Sequence, residues 1–175
     1  MLELGCGTGL AGIYAAKQTQ LVKLYQTDYI TTILLNTMKN IALNEVGNAQ
    51  VLKLNWNHPE IVNVPMKNQD SKVNLEKFER IIASDVCYEF DSCKVLAKTI
   101  NFYLRTGGKC FIVLPKRKLF DKEIKEFENQ MRIQDLELLS RESVCLSDSF
   151  LLKLDPSTEE SDTHELFYSY TFTKI

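Results

Sequence analysis

Apolar and polar residues change period repeatedly along this chain, from the alternation of strands to the three-to-four spacing of helices. "LEL" at the start reads as a strand end, and "GLAGIYAAKQT" has the small and apolar residues of a short helix packed closely on a sheet. "LVKLYQTD" is a strand ending on an acid, and "YITTILLNTMKNIALN" sets Ile30, Ile33, Leu34, Thr37, Met38, Ile41 and Ala42 on one helical face. "QVLKLNW" is a third strand. From "NHPEIVNVPMKNQDSKVNLEK" the period vanishes into polar residues and prolines, which predicts a loop with room for one turn of helix.

The rhythm resumes with "FERIIASDVCY", a near-continuous apolar strand of the kind buried on both faces. "SCKVLAKTINFYLRTGG" predicts a helix closed by a glycine cap, "KCFIVLP" a buried strand and "KLFDKEIKEFENQM" another helix. "LELLSRESV" and "HELFYSYTF" then read as strands separated by the acidic loop "DPSTEESDT", with no helix between them. Strands alternating with helices imply a parallel sheet with right-handed crossovers, and the final pair implies an antiparallel finish. The expected class is therefore α/β: a Rossmann-like, mostly parallel twisted sheet with helices on both faces and an antiparallel C-terminal hairpin. No internal repeat or domain boundary interrupts residues 1–175, which are read as one domain.

Composition changes this picture little. A chain of 175 residues, 45% apolar and 25% charged with formal charge -2, is ordinary for a globular domain and needs no disulfides to stabilise its core. Lys and Arg are interleaved with acids, which argues against a nucleic-acid surface; "KRK" at 116–118 reads as a short solvated basic patch. No apolar run reaches the roughly 18 residues of a membrane span. The 5 cysteines are scattered without a C-x-x-C pair and there are 2 isolated histidines, so no bound metal is expected and a reducing compartment, cytosol or nucleus, is.

The chemistry is concentrated in "LELGCGTGLAG", residues 2–12. "GTGLAG" is a literal G-x-G-x-x-G, and Asp28 follows by about the 20 residues expected of a ribose-binding acid, so a dinucleotide is one reading. Against it, the glycines begin at Gly5 directly behind the acid Glu3, whose charge suits a ligand with a positive end better than a pyrophosphate. No G-K-[ST] follows, which excludes a Walker loop.

The run "LELGCGTGLAGIYAA", the strand end "TDY", "LNW" after the third strand and "SDVCYEF" after the fourth together resemble a class I, seven-stranded S-adenosylmethionine-dependent methyltransferase. Within that superfamily they are most similar to the small, largely lysine-specific protein methyltransferases with a D-x-x-Y signature. The resemblance runs from Met1 to the C-terminus. It implies S-adenosylmethionine as cofactor, a protein substrate and transfer to a lysine nitrogen, with arginine or histidine behind it; a monomer is favoured. It also implies that Gly5, Cys6, Gly7 and Gly9 pass under the methionine part of the cofactor, that Glu3 faces its ammonium, and that Asp28, followed by Tyr29, accepts both ribose hydroxyls. Asn55, where the family commonly has Asp, would meet the adenine amino group, with Trp56 packed beside the ring. Ser84 would border the cofactor, and Asp85 and Tyr88 would align the substrate amine, move its proton and hold its cation by the π face.

Each residue also has a plain structural reading. The glycines make a tight turn, Asp28 caps the next helix, Trp56 is a core aromatic, and Asp85 with Tyr88 supply a cap and an exposed ring. Relatives in the family carry further residues ahead of the glycine motif, so this sequence is expected to lack the usual N-terminal segment. The rival functions are an NAD(P)-dependent dehydrogenase using "GTGLAG" and a catalytically silent methyltransferase-like binding module.

Overall fold

The computed structural model describes residues 1–19, 23–63, 72–87, 90–116, 121–145 and 166–175. In chain order the elements are β1 (Leu2–Leu4), α1 (Leu10–Gln18), β2 (Leu24–Asp28), α2 (Thr31–Leu43), β3 (Ala49–Asn55) and β4 (His58–Asn63). There follow β5 (Phe78–Ser84), α3 (Phe90–Tyr103), β6 (Leu104–Pro115), α4 (Asp121–Ile133), β7 (Leu136–Cys145) and β8 (Leu166–Lys174). The 8 strands among the described residues join one sheet in the order β4-β3-β2-β1-β5-β6-β8-β7. The run from β3 to β6 is parallel, while β8 pairs antiparallel with β6 and β7 with β8, as the sequence predicted for the closing hairpin.

Strand parity sorts the core. Leu2 and Leu4 point to one face, where they join Ile81, Leu96, Ile100 and Phe127 in a cluster covered by α3 and α4. Glu3 points to the other face with its neighbours Gln26 and Val51 in register, beneath α1 and α2. On α2 the predicted apolar stripe is only partly buried: Leu34 and Thr37 go inside, whereas Met38 and Ala42 are exposed.

Three expectations are corrected. The stretch after β3 is not a loop throughout: His58–Asn63 form β4, antiparallel to β3. Pro59 is tolerated because β4 is the sheet edge. The glycines at 107 and 108 do not cap α3, which ends at Tyr103; Gly107, at φ 73°, lies within β6 where the register against β5 shifts. Finally, β5 and β6 are not buried on both faces: Phe111 and Val113 of β6 are exposed while Cys110 and Ile112 are buried.

Candidate active site

The carboxyl ends of β1, β2, β3 and β5 converge on one cavity of about 640 Å³, within the range of small-molecule sites. One wall is Gly5, Gly7, Asp28, Tyr29, Asn55 and Trp56; a second is Val86 from the loop after β5 and Asp91, Ser92 and Val95 of α3. Two carboxylates, Asp28 and Asp91, belong to the lining, and no Lys, Arg or His does among the described residues.

The turn between β1 and α1 is held from three sides. The Cys6 N–H donates to Thr27 O at 2.8 Å, continuing the β1–β2 ladder, and the Gly9 N–H donates to Cys6 O at 2.8 Å. From α2, the Thr37 hydroxyl donates to Gly7 O at 2.7 Å and the Asn40 amide to Thr8 O at 2.8 Å. Two of its glycines are required for distinct reasons. Gly5 sits at φ 65°, and a Cβ there would come within 2.9 Å of Val86 Cγ1. Gly7 sits at φ 52° with nothing within 4 Å of its Cβ position, leaving open room above the turn.

Asp28 is buried at the end of β2. Its Oδ1 accepts the N–H groups of Tyr29 at 2.8 Å and Ile30 at 3.1 Å, and its Oδ2 accepts Gly7 N–H at 3.3 Å. It therefore closes an Asx turn ahead of α2; the helix cap itself is Ile30, with no side-chain cap. A carboxylate has about four acceptor directions, so Oδ2 retains capacity for a ligand hydroxyl in the cavity it lines. Asn55 Oδ1 accepts the Asn57 N–H at 3.0 Å, so the carbonyl expected to face adenine already closes the turn after β3. Trp56 is half-buried and packs on the main core beside Gly5 while still facing the cavity.

Other predicted site residues stand elsewhere. Glu3 is not part of the cavity wall: buried under the turn, its Oε2 accepts Gln26 Nε2–H at 2.6 Å and its Oε1 accepts Gly12 N–H at 3.3 Å. Burial pushes its carboxyl up to about 7, against the lowering effect of both hydrogen bonds. Gln26 Oε1 is buried without a hydrogen-bond partner among the described residues, so this acid and amide share an unbalanced donor count. The Cys6 side chain turns away from the cavity to Thr37 Oγ1 at 3.8 Å and packs with Leu34 and Val51; burial raises its thiol to about 12. Gly9 forms the N-cap of α1, and Ser84 is an exposed strand end; neither lines the cavity.

Asp85 begins the loop after β5. Its backbone is held at φ 51°, an uncommon region for a side-chain-bearing residue, and its N–H donates to Val113 O at 2.8 Å. The next residue but two, Tyr88, lies outside the described residues. Sequence reasoning missed the second wall. Its signal was helical phase: Cys93, Leu96, Ala97 and Ile100 of α3 are buried, which leaves Asp91, Ser92 and Val95 on the adjoining stripe toward the cavity.

A family model described as lysine methyltransferase matches residues 1–133. The chain belongs to the lysine methyltransferase family. It is 32% identical over 134 residues to the protein-lysine N-methyltransferase rrg1 of Schizosaccharomyces pombe, covering 74% of this chain and 43% of that protein. It is also 32% identical over 115 residues to a histidine protein methyltransferase 1 homolog of Dictyostelium discoideum, covering 64% of this chain and 33% of that protein. Among solved structures, a methyltransferase from Pyrococcus furiosus has the same fold, with TM-score 0.66 at 17% identity over 99% of this chain and 73% of that one. The chain thus spans less than half the length of these curated relatives.

Proposed function

We propose that this family member binds S-adenosylmethionine in the cavity above the glycine turn and transfers its methyl group to a protein lysine nitrogen. The observation that carries the reading is the cavity's charge: Asp28 and Asp91 line it and, among the described residues, no cationic side chain does. A pyrophosphate would be repelled there and a sulfonium with its ammonium attracted, which disfavours the dehydrogenase reading. The repulsion does not come from Glu3, which is buried beneath the turn and outside the cavity lining.

The residues present fit that cofactor. Gly7 leaves open space beside the backbone, Asp28 Oδ2 has acceptor capacity for a ribose hydroxyl, and Trp56 supplies an aromatic wall. When bound, the cofactor supplies an electrophilic methyl group. The protein's task is then positioning. A lysine ammonium, with an ordinary pKa near 10.4, has to lose a proton before its nitrogen can attack. Asp85 is assigned that work: its backbone is fixed beside β6, and its carboxylate orients the ammonium and takes part in moving its proton. Tyr88 is assigned the narrowing of the amine channel.

The test is transfer of a radiolabelled methyl group from S-adenosylmethionine into a protein extract, followed by acid hydrolysis and amino-acid analysis. Label in methyl-lysine supports the reading. Label in methyl-histidine moves the target to the residue named for the Dictyostelium relative. Cofactor binding with no labelled protein supports the silent binding module instead.

A further inference from the structure

The carboxyl edge of the sheet continues past the cavity. β6 runs parallel to β5 with Ser84 opposite Val113, so Lys116, the residue after β6, comes out on the same edge as Asp85. β8 and β7 carry that edge two strands further, with Tyr168 opposite Leu114 and Arg141 opposite Tyr170. Two cations converge there on one ring. The Arg141 guanidinium carbon is 4.4 Å from the Tyr168 centroid and the Lys116 Nζ is 5.9 Å from it, which keeps the two charges within about 10 Å of each other.

The ring is a fixed platform: Tyr168 packs on the main core and tilts against Tyr170 at 6.2 Å between centroids, and Tyr170 stacks on Phe172. Lys116 is exposed, and it opens the basic run 116–118. Arg141 is partly exposed and pairs with Glu128 of α4 at 3.2 Å. Glu128 also accepts the Tyr170 hydroxyl at 2.9 Å, so one carboxylate answers a hydroxyl and one of the two cations. A guanidinium carries five N–H donors and an ammonium three, which leaves the pair donors to offer an incoming anion. The edge is thus polarised in the order of the strands. Asp28 and Asp91 line the cavity at one end, Asp85 follows at the end of β5, and Lys116 and Arg141 stand at the other end.

We propose that Lys116 and Arg141 select the protein substrate by holding an acidic side chain close in sequence to the lysine that is methylated. This rests on the lysine transfer proposed above and names the chemistry of its substrate. Neighbouring strands lie about 4.8 Å apart, which puts Tyr168 about 10 Å and Arg141 about 14 Å from the end of β5. An extended chain covers about 3.3 Å per residue, so a peptide with its lysine at Asp85 reaches the pair with its third or fourth neighbour. Each end of the edge then meets the opposite charge, and a basic residue in place of the acid is repelled by Lys116 and Arg141. A nucleic acid fits less well, because phosphates following the edge meet Asp91 and Asp28 at the cavity.

A pair of short fluorescein-labelled peptides tests this, each with one central lysine in a Gly-Ser background. One has Glu at the third and fourth positions on both sides, the other Gln. Binding to the folded chain in the presence of S-adenosylhomocysteine is read by fluorescence anisotropy. The Glu peptide is expected to bind about 3–10-fold more tightly at ~50 mM salt, and the preference to fall below about twofold at ~0.5 M. Lys116→Glu, at an exposed position outside the helices and strands, brings the two peptides within about twofold of each other, and Arg141→Gln narrows the gap in part. Equal affinities, including the case in which neither peptide binds, overturn the proposal, and so does a Lys116→Glu chain that keeps the full preference. A labelled oligouridylate that binds more tightly than the Glu peptide assigns the surface to nucleic acid and overturns it as well. The two readings fail separately. Methyl-lysine formed without any Glu preference contradicts the acid-reading surface alone, whereas a Glu preference in a chain that labels no lysine contradicts the proposed function and leaves an acidic-peptide site standing.

Discussion

The two walls of the cavity are built by different means. The wall from β1, β2 and β3 is held through its backbone: Gly5 and Gly7 in left-handed conformations, Asp28 accepting three N–H groups, and α2 clamping two turn carbonyls through Thr37 and Asn40. The wall from β5 and α3 is side chains: Val86, Asp91, Ser92 and Val95, reached through a loop in which the Asp85 N–H donates to Val113 O. A wall of fixed backbone suits a ligand common to a whole family, and a wall of side chains suits what differs between members. On the function proposed above, cofactor affinity belongs to the first wall and transfer to the second.

The sharpest way to break that division is Asp85→Asn. Asn tolerates the positive φ, so the loop keeps its shape, while loss of the carboxylate lowers methyl transfer by about 10²–10⁴-fold and leaves cofactor affinity within about threefold. Single-turnover transfer and calorimetry measured together check it; equal losses in both would erase the distinction between the walls. Next in size is Asp28→Ala. With two charge-assisted hydrogen bonds at about 1.5–3 kcal/mol each at stake, cofactor affinity drops at least about 100-fold, with circular dichroism confirming the fold.

Glu3→Gln addresses what lies beneath the first wall. A carboxyl raised from 4.5 to about 7 binds its proton more tightly folded than unfolded. Its contribution to stability is thus fully present below about pH 4.5 and lost as pH rises through 7, a change of about 3 kcal/mol at 1.36 kcal/mol per pH unit. Glu3→Gln removes that loss: the variant matches the parent near pH 4 and is more stable at pH 8, as urea midpoints at the two pH values will read. A parent whose midpoint does not fall between them contradicts the assignment. Smallest is Gly5→Ala, which combines a left-handed backbone strain of about 1–2 kcal/mol with displacement of Val86, and so weakens cofactor binding and lowers Tm by several degrees.

The first wall was also the more legible in the sequence. Gly5, Gly7, Asp28, Tyr29, Asn55 and Trp56 sit at strand ends inside short motifs, and all of them line the cavity. Glu3 misled because an acid beside glycines reads as ligand-facing. Yet Leu2 and Leu4 alternate with it, and that parity sends its side chain beneath α1. The strand β4 was hidden because Pro59 and polar neighbours carry the composition of a loop, which an edge strand tolerates. "TGG" fits a helix cap or a bulge equally well, and pairing with β5 decided between them.

The division of labour stands or falls on what occupies the cavity at Asp28. Isothermal titration of the folded chain with S-adenosylhomocysteine and, separately, with NADH reads this directly. One equivalent of S-adenosylhomocysteine should bind, at least about 100-fold more weakly to Asp28→Ala, and NADH should give no heat. Binding of NADH in its place, or an Asp28→Ala chain that takes up S-adenosylhomocysteine as tightly as its parent, would contradict it.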